Sequence, residues 1–185
     1  MKYYSKGKRG KIYLDKEYII KKAEHIRIKN EVKWLKILNK YNIGPKLIKY
    51  GKDYFKYKFI KGNFIIDFIE KNNKKEIKKV LLNVLKQCRI MDKLKVNKKE
   101  MHNPFKHIII NKKVNMIDFE RCYKTNKPKN VTQFSQFIMS NNLKNLLIKK
   151  KFKIDKKKLL EKLIKYKHEQ DDENFKSILK LILKF

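Results

Sequence analysis

The sequence predicts an α+β fold in two unlike parts, a β-rich part with one helix over residues 1–62 and a mainly helical part over residues 63–185. Three observations carry this. Short runs rich in Tyr and Ile, separated by turn residues, fill the first third of the chain. A single stretch within it, Ala23 to Lys40, places Ile28, Val32, Leu35 and Leu38 at helical spacing. From Lys74 onward, long segments with apolar residues three and four apart take over. A chain of 185 residues is long enough for one domain with a real core, divided into two lobes.

Taken in order, "KGKRGKIYL" leads through the turn "DKE" into "YIIKKA", a hairpin within residues 1–22. The helix that follows ends at "YNIGPKL", where Gly44 and Pro45 are stop signals. Strands are expected at Lys46–Tyr50 and Tyr54–Ile60, with turns at Gly51–Asp53 and Lys61–Asn63. Lys74 to Leu94 is a long amphipathic helix with Ile77, Val80, Leu81, Val84, Leu85, Cys88 and Met91 on one stripe. After a polar loop, Lys95–Asn103, the runs "HIII" and "VNMIDF" form a strand pair joined at Asn111-Lys112-Lys113. The remainder predicts helices over about Val131–Lys149, Lys156–His168 and Glu173–Phe185. Asp155 is placed as an N-cap, and Asn130 with Gln133 resembles a capping box.

Composition bounds the partners. Lys and Arg number 51 against 18 Asp and Glu, a net charge of +33, which favours an anionic partner such as RNA, a membrane surface or a nucleotide. The lysines are spread along the chain and accompany an excess of Ile and Asn, so composition alone accounts for much of the charge, with non-specific nucleic-acid affinity as a by-product. At 42% hydrophobic and 12% aromatic residues, the chain is no disordered polybasic tail. Two cysteines, Cys88 and Cys122, are too few and too poorly spaced for a zinc site or disulfide framework. No apolar run approaches the roughly 20 residues of a membrane span and no signal peptide opens the chain, so a cytoplasmic location is expected.

Five pieces carry candidate chemistry. "SKGKRGKI" lays Gly7, Gly10 and Ile12 on the pattern G-x-G-x-x-G-x-V, with Ser5 in the first glycine's place. Glycine there lets backbone amides approach phosphates, although a basic hairpin turn explains the same residues. The Gly-Lys-Ser/Thr ending of a Walker loop is missing, and the strand that follows argues against a Rossmann turn. "YIIK" ends in Lys21. Glu31 lies between Ile28 and Leu35 on the apolar side of its helix, or pairs with Arg27. "YKFIKG", Tyr57 to Gly62, is an extended link or a plain edge strand. In "NMIDFERC", Asp118 interrupts an apolar run, where a carboxylate is costly unless it caps a turn or holds a metal or cofactor.

In this order the pieces resemble small, atypical members of the protein-kinase-like superfamily, over about residues 3–140. The likeness in size and style is to archaeal kinases such as the RIO family and the small kinase of the KEOPS complex. It extends to short archaeal predicted Ser/Thr kinases ending in "IDFE". The resemblance implies a two-lobed kinase-like fold and an ATP-dependent phosphotransferase, a serine/threonine-protein-kinase-like protein. It implies that Ser5, Gly7, Lys8, Gly10 and Ile12 cover the nucleotide, that Lys21 binds the α- and β-phosphates, and that Glu31 orients Lys21. Tyr57 takes the gatekeeper place, the backbone of Lys58, Phe59 and Ile60 meets adenine, and Asp118 binds magnesium or manganese.

The segment "KEMHNPFKHIII" departs from the family. Where H-R-D precedes a metal-binding Asn by five residues, His102 takes the catalytic Asp place and His107 the Asn place. Glu120 replaces the glycine of D-F-G. A neutral imidazole accepts a proton near pH 7, so His102 is the expected base, with Glu100 and Glu120 as alternative carboxylates and His107 as a metal ligand. Three functions compete: a phosphotransferase or ATPase, a nucleotide-binding pseudokinase regulating a partner protein, and a basic RNA- or ribosome-associated protein.

Overall fold

The computed structural model describes residues 1–7 and 10–185. The first part is an antiparallel sheet of five strands, β1 (Lys2–Gly7), β2 (Gly10–Asp15), β3 (Tyr18–Ala23), β4 (Leu47–Tyr50) and β5 (Tyr54–Lys58), in the order β1-β2-β3-β5-β4. The sequence showed the β2–β3 hairpin; β1 is a further strand, paired to β2 from Lys2↔Leu14 to Gly7↔Gly10. One helix, α1 (His25–Leu38), bridges β3 and β4 and presses Ile28, Val32, Trp34, Leu35 and Leu38 into the core. Each such burial is worth about 1.5–3 kcal/mol, enough to hold a helix that has no side-chain N-cap. Gly44 ends the turn after α1 at φ +83°, and a Cβ there would lie 2.9 Å from both Leu35 and the Phe119 ring.

The second part begins with β6 (Asn63–Phe64), which pairs with β8 (Ile108–Ile110), itself paired with β9 (Val114–Met116). A second small ladder joins β7 (Val96–Asn97) to β10 (Tyr123–Lys124). Around them lie α2 (Ile65–Lys71), α3 (Lys74–Lys93), α4 (Asn130–Met139), α5 (Asn141–Lys149), α6 (Lys156–His168) and α7 (Asp172–Lys184). The stripe expected on α3 is buried, and Asn73 caps its start by accepting the Glu76 amide at 3.0 Å. Asp155 caps α6 as its position predicts, accepting from the Lys158 amide at 3.0 Å.

Two expectations are corrected. The helix expected over Val131–Lys149 is two helices, because Ser140 turns extended (ψ 150°) and its hydroxyl donates to the Phe137 carbonyl. Asn130 is not a cap. Its amide is buried, donating to Asp92 at 2.7 Å and to the Val96 carbonyl at 2.6 Å, while its Oδ1 accepts the Lys98 amide at 2.8 Å. Asp92 also accepts from the Tyr166 hydroxyl at 2.9 Å, and burial pushes its carboxyl above the ordinary range. This network ties α3, α4 and α6 to the segment that starts at Lys98. Among the described residues no helix is long and apolar enough to cross a membrane.

Candidate functional site

The site forms where α1 meets the loop after β9. Side chains alternate across a strand, so Lys21 shares a face with Ile19, which is buried, and lies opposite the buried Phe55 of β5. That is the face α1 covers. Glu31, one turn from Ile28 and Leu35, points back at it. Lys21 Nζ donates to Glu31 Oε2 at 2.7 Å and to Asp118 Oδ1 at 2.8 Å, and stands 3.4 Å from Glu120 Oε2. The other Glu31 oxygen accepts the Phe119 amide at 3.0 Å.

Asp118 lies two residues beyond the end of β9, at φ +63°, outside the strand that the apolar run predicts. The left-handed backbone turns its carboxylate toward Lys21 while Phe119 enters the core. Lys98, fully buried, donates to the Asp118 carbonyl, pairs with Glu100 at 3.1 Å and lies over the Phe119 ring at 5.1 Å. Arg121 reaches the second Glu100 oxygen at 3.6 Å.

Charge follows this packing. Burial works against the Lys21 ammonium, yet Glu31 and Asp118 outweigh it and hold its pKa above the usual lysine range. Burial raises Glu31. Burial would raise Asp118 too, but the Lys21 ammonium holds it below the usual carboxylate range. Burial, followed by the Lys98 ammonium, depresses His107.

The structure brings together Lys21, Glu31, Asp118 and His107, and adds Glu120, Lys98 and Glu100. Nothing in the sequence sets Lys98 apart among so many lysines; its only signal is its place beside Glu100 just after β7. His102 sits elsewhere in character. It is exposed on a 3-10 turn, with Nδ1 2.8 Å from the Lys99 carbonyl, whereas Glu100 on the same turn is buried.

Of the residues expected over the nucleotide, Ser5 pairs with Ile12 and Gly7 with Gly10 at the tip of the first hairpin; Lys8 lies outside the described residues. Gly10 has a reason of its own, since a Cβ there would stand 2.6 Å from the Lys22 carbonyl of β3. Tyr57 stacks on Phe55 at 5.4 Å, and burial followed by Glu31 pushes its hydroxyl pKa up. The strand expected to reach Ile60 stops at Lys58. The Lys58 and Phe59 amides donate to the Lys46 and Glu17 carbonyls, at 3.2 and 2.8 Å.

Two groups of side chains present metal-ligand atoms. Glu31, Asp118 and Glu120 each offer an oxygen within 4.8 Å of the others, but the Lys21 ammonium stands within 3.4 Å of all three and serves as their cation. The remaining Asp118 oxygen, Oδ2, faces His107 Nδ1 at 3.8 Å, and that nitrogen is buried with no hydrogen-bond partner among the described residues. The pair offers one oxygen and one nitrogen donor, and imidazole suits transition metals better than magnesium. No family model matches the chain, and no curated protein matches it.

Proposed function

We propose that the protein is an atypical ATP-dependent phosphotransferase of the protein-kinase-like kind. The observation that carries the reading is the Lys21 ammonium held by Glu31 at 2.7 Å and by Asp118 at 2.8 Å, although Asp118 lies 97 residues away in sequence. A lysine fixed by a helix glutamate beside an aspartate with one oxygen to spare is an arrangement for phosphate and its metal ion. The five-stranded antiparallel sheet with a single helix over the lysine supports the same reading.

In this reading Lys21 neutralises phosphate oxygens and Glu31 keeps its ammonium in place. Asp118 Oδ2 and His107 Nδ1 would hold manganese or magnesium, which would neutralise phosphate charge. The hairpin of β1 and β2 covers the phosphates. Adenine lies against the link from Tyr57 to Ile60, where Lys58 and Phe59 amides are already engaged and Ile60 is left to meet the base. Phosphoryl transfer depends mainly on position and charge, so it tolerates a weak proton acceptor. Glu100, inward and linked through Lys98 to Asp118, takes that role in preference to the solvent-facing His102.

The test is incubation of purified protein with γ-labelled ATP and manganese or magnesium, following ADP release and labelled product. Wild type should turn over, and Asp118→Asn should not, while the variant stays folded with a somewhat lower melting temperature because Lys21 loses one of its charge partners. Asparagine tolerates the left-handed backbone at this position, so the variant isolates the charge. Failure of wild type to bind ATP with either metal would overturn the reading. The solvent-facing His102 favours one second reading, a nucleotide-binding pseudokinase that regulates a partner protein; ATP binding without product would select it.

A further inference from the structure

We infer that the outer flank of α1 is a binding groove for single-stranded nucleic acid, which adjoins the Lys21 centre at Glu120. Two adjoining cavities, ≈ 530 Å³ and ≈ 390 Å³, lie there and share Asn30. The larger is lined by Ile26, Arg27, Lys29, Asn30, Lys33 and Glu120; the smaller adds Lys99, Arg121, Cys122 and Tyr123. Asn30 fixes the floor by donating to the Glu120 and Cys122 carbonyls at 2.7 and 3.1 Å, so the walls from α1 and from the 120–123 loop keep a set spacing.

A lysine-rich chain presents positive charge on most faces, so charge alone would decide nothing. Three features single this face out. Five of its ten lining residues are cationic and one is acidic. Among the described residues no carboxylate lies within ion-pair reach of Lys29, Lys33 or Lys99, and the one acid in the lining, Glu120, is held by Lys21 and Arg27.

The second feature is the arginines. The chain has four, Arg9, Arg27, Arg89 and Arg121. Arginine's planar fork matches carboxylate and phosphate in a way lysine's ammonium does not. Arg89 is such a case, with Nε and Nη2 both on Asp172 at 3.3 and 3.0 Å. Arg9 lies outside the described residues. The other two, Arg27 and Arg121, both line this groove; Arg27 Nε donates to Glu24 at 3.1 Å and its Nη1 stands 3.9 Å from Glu120, while Arg121 Nη1 stands 3.6 Å from Glu100 behind the wall.

The third is Tyr123, an exposed ring with Lys99 over it at 5.6 Å. Cations that track a backbone beside an exposed aromatic ring are what a flexible single strand requires, because every base can stack and no base edge need be read. A folded acidic protein would find no use for the ring, and a duplex could not bring a base to it.

The test is binding of a fluorescein-labelled 12-residue oligouridylate without ATP, so its outcome is independent of phosphotransfer. Trp34, the only tryptophan, gives a second signal: its indole donates to the Cys122 carbonyl at 2.9 Å directly behind the groove. Lys29→Gln/Lys33→Gln/Lys99→Gln should weaken binding and reduce the salt slope, d log K/d log[salt], by about 2. Lys157→Gln/Lys167→Gln/Lys180→Gln, an equal charge change on α6 and α7, should leave the slope unchanged. Tyr123→Ser should weaken binding about tenfold, and Trp34 emission should change on titration with wild type. Equal weakening by the two triple variants would overturn the inference in favour of diffuse charge. Competition by polyglutamate as effective as by unlabelled oligonucleotide, with Tyr123→Ser unaltered, would overturn it in favour of an acidic protein. Absence of binding at 100 mM salt would overturn it outright.

Discussion

Replacing Lys21 with methionine tests the charge balance of the centre directly. The side chain keeps its length and its apolar stem, while the ammonium that Glu31, Asp118 and Glu120 share is lost. Glu31 and Glu120 are 4% and 8% exposed at the side chain, so two of the three carboxylates have little water to turn to. Removing one partner of a buried pair typically costs about 3–5 kcal/mol. Asp118, at 35% exposure, relaxes toward solvent, which puts the expected loss near the lower end, about 3 kcal/mol at pH 8. For a chain of this size that is a fall of roughly 6–12 °C in melting temperature.

The pH dependence has a definite sign. Glu31 is already raised by burial, and without Lys21 it rises further. A carboxyl whose folded pKa exceeds its unfolded value of 4.5 contributes stability below 4.5 and loses it as pH rises through the folded pKa. The variant should therefore recover part of its deficit at pH 5, where Glu31 takes up a proton, and show the full deficit at pH 8. Urea unfolding followed by Trp34 fluorescence at both pH values measures this. A deficit that is equal at the two pH values, or below 1 kcal/mol at both, would mean that the carboxylates do not converge on this ammonium.

Three further outcomes are expected. Glu100→Gln should reduce turnover by about a hundredfold while ATP affinity holds, and His102→Ala should leave both near wild type; single-turnover assays with separate ATP titrations decide it, and the reverse pattern would restore His102 as base. Gly44→Ala should cost about 1–3 kcal/mol, because it strains a φ of +83° and crowds Phe119, read as a lowered urea midpoint. His107→Ala should weaken manganese-dependent ATP binding more than magnesium-dependent binding, measured by thermal shift with each ion.

The residues legible in the sequence were those whose position follows from a period. Strand alternation puts Lys21 beside Ile19, helix spacing puts Glu31 beside Ile28 and Leu35, and an aspartate inside an apolar run marks Asp118. Lys98 was hidden because a lysine in a polar loop normally faces water, and Glu100 was legible only as an alternative carboxylate to His102; the packing of Phe119 and the Asn130 network draws both inward. The helix α2 was missed because seven residues, "IIDFIEK", are too few to show a helical period. The break at Ser140 was missed because apolar spacing runs on through it with no glycine or proline.

The enclosure of Lys21 has a consequence for mutational tolerance. Of the chain's 18 acidic residues, four gather at this one centre: Glu31, Glu100, Asp118 and Glu120. A single G-to-A change in the first codon position turns glutamate into lysine and aspartate into asparagine, the direction in which the whole composition leans. Over most of the surface that exchange adds one more solvated ammonium and little else. At Glu120 it would set a second ammonium against Lys21, where the carboxylate oxygen now stands at 3.4 Å, and at Glu31 it would bury one. The same nucleotide drift is thus mild at solvated positions and disabling at these four codons.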